Sequence, residues 1–116
     1  MTRTFKETPW FTKRWYELGF DDEALMVLQN MILENPETGD LIRGSGGVRK
    51  LRFAFVGRGK SGSARVCYVD FERYETVYLI AVYKKAEKEN LTLQERNDIK
   101  KLVAVLKAEE RIISNP

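Results

Sequence analysis

The hydrophobic period of this chain changes twice, and the two changes divide its 116 residues into three parts. Up to residue 35 the apolar residues recur at helical spacing, between residues 48 and 84 they alternate or run continuously as in strands, and after residue 92 the helical spacing returns. A weak alternation over Arg3–Glu7 adds a first short strand. We therefore predict an α+β fold, a small antiparallel sheet with two N-terminal helices and one C-terminal helix, in the order β-α-α-β-β-β-α. The chain shows no internal repeat or linker, so we expect a single domain over residues 1–116.

Capping residues mark the ends of the predicted helices. Thr8-Pro9 supplies an N-cap and a first-turn proline for the first helix. Asp21-Asp22 begins the second helix, and Asn35-Pro36 ends it. Thr92 and Glu95 have the spacing of a capping box, which predicts the start of the C-terminal helix.

Three strands are predicted in the middle part of the chain. The first begins at Val48 and alternates between apolar and basic side chains, so that one face is buried and the other carries charge. Its apolar face comprises Leu51, Phe53 and Phe55. The next two strands are Arg65–Phe71 and Thr76–Lys84, joined by a short turn. Together the three strands predict an antiparallel meander.

The positive charge is concentrated in one segment. The whole chain carries a formal charge of only +3, yet the segment from Arg43 to Arg65 contains seven cations and no acid. Six of the eight glycines lie in the same segment, and glycine lets the backbone approach a ligand closely. We predict a polyanion site, with phosphate as its target. The alternative is a solvated basic hairpin that protects a sheet edge.

The chain contains no histidine, which excludes Ser-His-Asp and Cys-His nucleophiles and histidine-based metal sites. We expect neither a metal nor another cofactor. The single cysteine, Cys67, cannot form an internal disulfide and is expected to be a small buried residue. No apolar run approaches the ~20 residues that span a bilayer, and no leader-like segment is recognised. We expect a cytoplasmic protein without a membrane partner.

If the polyanion is RNA, a chain without histidine can cleave it by activating the ribose 2′-hydroxyl, provided that cations stabilise the phosphate. Repulsion among neighbouring cations makes a lysine a better proton donor, so Lys60 and Lys85 are candidates for proton transfer. Arg58 and Arg65 would stabilise charge, because arginine does not readily give up its proton. Tyr83 lies two residues before Lys85 and so shares its face of the strand.

Further residues of the same region are candidates for holding RNA without reacting. Tyr68, like Tyr83, has a ring on which an unpaired base can stack. The basic residues of the first middle strand would bind RNA phosphates with an affinity that falls as salt rises. The predicted RNA-binding residues are Arg49, Lys50, Arg52 and Tyr68.

Three motifs resemble one protein family in the same order along the chain. They are Gly47–Arg52 (GVRKLR), Gly57–Gly62 (GRGKSG) followed by Arg65-Val66 and Tyr68, and Tyr83–Lys88 (YKKAEK) before Asn90–Thr92. Over residues 47–92 the chain resembles the RelE superfamily of bacterial type II toxins, specifically its HigB-like branch. The resemblance implies a small sheet flanked by helices and an endoribonuclease that cleaves translated messenger RNA in the ribosomal A site.

The resemblance also implies the catalytic positions and the partners. The implied catalytic residues are Arg58, Lys60, Arg65, Tyr83 and Lys85. Three positions depart from the branch, since Lys84 stands where proline is common, Val69 replaces the second aromatic of a tyrosine pair and Ala86 replaces a polar residue. The implied partners are the ribosome with its messenger RNA and a cognate antitoxin with a helix-turn-helix DNA-binding domain.

Two other functions stay open on the sequence. One is a non-catalytic inhibitor of DNA gyrase on the same scaffold, as in the related ParE branch, although that branch lacks the basic set found here. The other is an RNA-binding module that holds phosphate without turnover.

Overall fold

The computed structural model describes residues 2–54 and 63–114. Within these ranges the elements are β1 (Thr4–Glu7), α1 (Pro9–Glu17), α2 (Asp22–Glu34), β2 (Asp40–Leu41), β3 (Arg49–Phe53), β4 (Ala64–Phe71), β5 (Thr76–Lys84) and α3 (Leu93–Ser114), with a 3-10 turn at Glu72–Tyr74. The predicted α+β fold is confirmed. Phe55, predicted at the end of the first middle strand, lies outside the described residues. In the part of the chain described, no helix combines the length and the apolar content that a membrane span requires.

The sheet has five strands in the order β1-β5-β4-β3-β2. The predicted antiparallel meander forms its centre as β3, β4 and β5. The sheet as a whole is mixed and not purely antiparallel, because β1 pairs in parallel with β5. The sequence did not indicate β2, since a strand of two residues is too short to show an alternation. These two edge strands are the differences from the predicted sheet.

The predicted helix caps are present. The Thr8 hydroxyl accepts a hydrogen bond from the Phe11 amide at 3.1 Å and donates one to the Ile80 carbonyl at 2.6 Å, which ties the start of α1 to β5. Thr92 and Glu95 bond reciprocally, each side chain accepting from the other's amide, at 3.0 and 2.9 Å. The capping box therefore fixes where α3 begins.

Two apolar cores lie on opposite faces of the sheet. Helices α1 and α2 cover one face, where Trp15 and Leu28 are fully buried. Helix α3 covers the other with Val103 and Leu106. The register of β4 and β5 shifts by one residue, since Cys67 lies opposite Ala81 and Tyr68 lies opposite Leu79. The extra residue, Ile80, makes a β-bulge in β5.

A buried carboxylate fixes the C-terminal half of α3 to the sheet. Glu110 is 4% exposed. One of its oxygens accepts a hydrogen bond from the Lys6 ammonium at 2.7 Å, and the other accepts from the Thr76 hydroxyl at 3.2 Å. Helix α3 is thus attached to both β1 and β5 at the end opposite its capping box.

Candidate functional site

Three polar side chains lie side by side on the α3 face of the sheet, where β4 begins and β5 ends. The strand register pairs Arg52 with Arg65, and Arg65 with Tyr83. We call these three residues the polar row. Lys50 lies two residues before Arg52 on the same face of β3. Lys85 follows β5 at this end of the sheet, where its amide donates to the Ser63 carbonyl at 3.3 Å. The structure therefore brings together five of the residues that the sequence singled out.

The guanidinium of Arg65 is buried with free hydrogen-bonding capacity. Its side chain is 6% exposed, and its Nη2 lies 3.8 Å from a carboxylate oxygen of Glu89, beyond hydrogen-bond distance. Its Nη1 is buried and has no partner among the described residues. A buried donor without a partner costs free energy, and a guanidinium has the geometry to bind two phosphate oxygens at once. Arg65 is therefore suited to receive an anion.

Tyr83, like its neighbour Arg65, has a buried polar atom without a hydrogen-bond partner among the described residues. The residue is 4% exposed, and its hydroxyl is buried without a partner in the described ranges. Burial raises the pKa of the Tyr83 phenol, and the nearby Arg65 cation opposes the rise only partly. The phenol is consequently neutral at pH 7, so it can donate a hydrogen bond but cannot act as a base.

The connection between β5 and α3 covers the polar row. The Lys88 ammonium lies 5.2 Å from the centroid of the Tyr83 ring and pairs with the Glu95 carboxylate. The Lys50 ammonium donates to the Asn90 side chain at 2.9 Å and to the Glu89 carbonyl at 3.3 Å. The sequence indicated no role for Glu89 or Asn90, because their contacts are with Arg65 and Lys50 on strands that are distant in sequence.

Arg49 and Tyr68 do not join this group. Both lie on the opposite face of the sheet, in register with each other. Arg49 donates to the Gly39 carbonyl at 2.9 Å and lies 3.5 Å from the Glu37 carboxylate. The Tyr68 hydroxyl donates to the Pro36 carbonyl at 2.7 Å and accepts from the Gly39 amide at 3.0 Å. These two side chains hold the loop between α2 and β2 against the sheet.

The prediction that Tyr68 stacks on RNA is wrong. Its ring is fully buried, so it offers no face to a base. A Cβ atom on Gly39 would lie 3.0 Å from the Tyr68 ring and 3.1 Å from the Arg49 Cβ, so a larger residue there would require these side chains to shift by a few tenths of an ångström. The physical reason is the alternation of the strand, which points residue 68 toward α2 and residue 67 toward α3.

The remaining predicted residues divide into two groups. Arg58 and Lys60, both predicted to be catalytic, lie outside the described residues and stay predictions. Cys67 lies on the α3 face and is fully buried, as expected. Burial raises the pKa of its thiol to about 12, which keeps it protonated and unreactive at neutral pH.

Solved structures with the same fold were found. A free mutant of the E. coli toxin RelE matches with a TM-score of 0.53 and 20% sequence identity, over 77% of this chain and 90% of that chain. The intact E. coli RelBE toxin–antitoxin complex contains a chain that matches with the same TM-score and identity, over 72% of this chain and 96% of that chain. At this identity the two likenesses show the fold alone.

The family is shown by the sequence itself. A family model described as the RelE toxin of the RelE/RelB toxin–antitoxin system matches residues 2–113, which is nearly the whole chain. The match includes every strand of the sheet and all three helices except the last residue of α3. The chain belongs to the RelE family of toxins from toxin–antitoxin systems.

Proposed function

We propose that this chain is a ribosome-dependent endoribonuclease of the HigB-like branch, which cleaves messenger RNA in the A site by attack of the ribose 2′-hydroxyl. The observation that carries the proposal is the polar row, in which Arg65 Nη1 and the Tyr83 hydroxyl are buried side by side without partners among the described residues. Folding gains nothing from such groups, whereas a phosphate would satisfy both.

The roles within the row follow from its chemistry. The 2′-oxygen attacks phosphorus, the bond from phosphorus to the 5′-oxygen breaks, and the products are a 2′,3′-cyclic phosphate and a free 5′-hydroxyl. Negative charge grows on the phosphoryl oxygens during attack, and the Arg65 and Arg52 guanidiniums stabilise it. The neutral Tyr83 phenol donates a hydrogen bond to the same oxygens.

Proton transfer is assigned to lysine. The 2′-hydroxyl must lose a proton and the 5′-oxygen must gain one. Lys85 is exposed at the end of β5, next to the polar row, so it can reach the leaving oxygen. Lys60 is the second candidate and lies outside the described residues.

Dependence on the ribosome follows from the same set of groups. No residue in the row is a good base at neutral pH, so the free protein is a poor nuclease. Holding the 2′-hydroxyl in line with the phosphate is worth effective molarities of about 10⁵–10⁸ M in well-oriented systems. The ribosome would supply this alignment by fixing the codon, and the protein would therefore act in the cytoplasm.

The proposal includes a cognate antitoxin. Membership of the family implies a partner that neutralises the toxin. We propose that this partner carries a helix-turn-helix domain and represses its own operon, as in the HigB-like branch. Whether a neighbouring gene encodes such a small DNA-binding protein tests this part.

The decisive experiment compares cleavage of one messenger RNA with and without translating ribosomes, with the 5′ ends of the products mapped. The wild-type chain should cut only the translated message. Arg65→Gln should lower the rate about 10²–10³-fold, because a donor to the developing charge is lost. Tyr83→Phe should lower it about 10- to 100-fold, the value of one hydrogen bond to a charged group.

Arg73→Gln is the matched control. Arg73 belongs to the turn between β4 and β5, at the opposite end of the sheet from the polar row, so its loss should leave the rate unchanged. Thermal unfolding of each variant verifies the fold. Intact message in the translated reaction would reject the proposal, and cleaved DNA beside intact message would favour inhibition of gyrase.

A further inference from the structure

A basic cavity adjoins the polar row on the same face of the sheet. It lies between β2, β3 and the start of α3 and has a volume of about 420 Å³. Its charged lining consists of three cations and one acid: Arg43, Lys50, Arg96 and Asp40. We call this space the basic cavity. Such a volume lies in the range of pockets that hold small ligands.

A loop with its own internal hydrogen bonds carries Arg43 at this cavity. Gly44, Gly46 and Gly47 all have positive φ angles, between 76° and 105°, which other residues rarely adopt. The buried Ser45 hydroxyl donates to the Ile42 carbonyl at 2.6 Å and accepts from the Val48 amide at 3.0 Å. The loop therefore closes on itself, and its conformation accounts for this part of the glycine-rich segment.

Arg96 enters the cavity from the first turn of α3, which the capping box fixes in place. Its Nε is buried and has no hydrogen-bond partner within the described ranges. Neither Arg43 nor Arg96 forms an ion pair with any carboxylate that the structure describes. Two guanidiniums without anionic partners thus line one small space.

Lys50 connects the cavity to the polar row. Its side chain lines the cavity, and it lies two residues from Arg52 on the same face of β3. A strand rises ~3.4 Å per residue, so these two positions lie ~7 Å apart. A single polyanionic strand can consequently contact both groups at once.

We propose that the basic cavity binds a backbone phosphate of single-stranded RNA next to the phosphate that is cleaved, with Arg43 and Arg96 as its main ligands. The inference rests on the proposed function, because the strand must continue from the polar row. A guanidinium can bind two phosphate oxygens at once, and Arg43 and Arg96 both line this cavity. Continuity with the row favours RNA over an acidic peptide.

The test measures binding and not cleavage. A short fluorescent oligouridylate with 2′-O-methyl groups cannot be cut, and its affinity for the full chain is followed by anisotropy over a range of salt concentrations. Arg96→Gln should weaken binding roughly three- to tenfold and reduce the magnitude of the slope of log affinity against log salt by about 0.7, the value for one lost phosphate contact. Arg43→Gln, in an exposed loop, should do the same without any risk to the fold.

Lys101→Gln is the matched control, since Lys101 is exposed and lies about 140° around α3 from Arg96. It loses the same charge from the same helix and should leave the slope unchanged. Equal effects of Arg96→Gln and Lys101→Gln would overturn the inference, because they would indicate only a general loss of charge. Tighter binding of a poly-glutamate peptide than of the oligouridylate would overturn it in favour of a protein ligand.

Free phosphate is distinguished by competition. If inorganic phosphate at millimolar concentration abolishes the difference between wild type and Arg96→Gln, the cavity is a site for the free ion and the inference fails. A failure of the proposed function would give a different result. In that case translated messenger RNA stays intact, while Arg96→Gln still binds the oligouridylate more weakly than Lys101→Gln does.

Discussion

On the face of the sheet covered by α1 and α2, the buried hydroxyl of Tyr68 has two hydrogen-bond partners, whereas on the α3 face the buried hydroxyl of Tyr83 has none among the described residues. Arg65 and Arg96 likewise leave nitrogen atoms unpartnered on the α3 side. Native folds pair nearly all buried polar groups, so unpaired ones need a reason. One face satisfies the requirements of folding, and the other holds buried polar groups that have no partner among the described residues, as expected of the anion site proposed above.

The packing of aromatic rings sharpens the contrast. The Trp15 ring lies 4.5 Å from Phe20 and 5.4 Å from both Phe11 and Phe53, measured between ring centroids. These four residues form a stacked and tilted cluster under α1, and such pairs add to the free energy of burial. We expect the stability of the fold to reside mainly on this face.

The largest expected effect is therefore on stability. Trp15→Ala should lower the free energy of unfolding by about 3–5 kcal/mol, because a fully buried ring is lost and a cavity is left. Urea unfolding measures it. Trp10→Ala on the same helix removes a ring that is 66% exposed and should cost less than about 0.5 kcal/mol. Equal losses in the two variants would contradict the comparison.

The second prediction concerns alkaline pH and Cys67 on the α3 face. Its pKa is raised by burial to about 12, so the folded chain keeps a proton that the unfolded chain loses above pH ~9. The stabilisation is complete below the unfolded pKa and is lost as the pH rises toward the folded value. The free energy of unfolding should fall by about 1.4 kcal/mol per pH unit from this group.

The measurement for Cys67 is urea unfolding of wild type and Cys67→Ala from neutral pH to about pH 11. The buried tyrosines Tyr68 and Tyr78 also lose stability with rising pH, but they are present in both proteins and cancel in the comparison. Tyr83 adds to the difference, because the nearby Cys67 helps to raise its pKa. Cys67→Ala should therefore show the shallower decline. Parallel curves would mean that the thiol is not buried as deeply on this face as the structure indicates.

The smallest expected effect concerns Glu89, whose carboxylate lies near Arg65. Glu89→Gln removes a negative charge 3.8 Å from the buried guanidinium, and an entering phosphate no longer meets that repulsion. Affinity for the uncleavable oligouridylate should rise about threefold, because an interaction between partly exposed charges is worth less than about 1 kcal/mol. Glu109→Gln, exposed near the end of α3, is the control and should change affinity less. Weaker binding by Glu89→Gln would show that this carboxylate orders the site instead of competing for it.

Local signals were enough to predict the helices and the central strands. The caps at Thr8, Asp21 and Thr92 formed as expected, because each bonds within its own first turn. The parallel pairing of β1 with β5 was not predicted, because it depends on where the chain returns after some 70 residues. Local periodicity does not contain that information.

Only part of the site could be predicted, because local alternation places residues on a strand face but does not show which helix packs over them. The alternation of β3 correctly separated Lys50 and Arg52 from Leu51. The same alternation places Arg49 on the face of the sheet that α1 and α2 cover. Nearly every residue of β4 is buried, so no alternation showed which face Tyr68 would take. Arg96 was missed because its place beside Lys50 arises only when α3 packs across the sheet.

The β-bulge at Ile80 determines which side chains reach the site. Tyr78 and Ile80 face α3, and strict alternation would then bring Val82 to that face and turn Tyr83 toward α1. The extra residue reverses the alternation of side chains along β5. Val82 therefore packs in the core under α1 and α2, and Tyr83 lies beside Arg65 on the α3 face. A deletion of one residue in the middle of β5 would thus exchange the two faces beyond it. The presence of the Tyr83 hydroxyl beside Arg65 thus depends on one extra residue in β5.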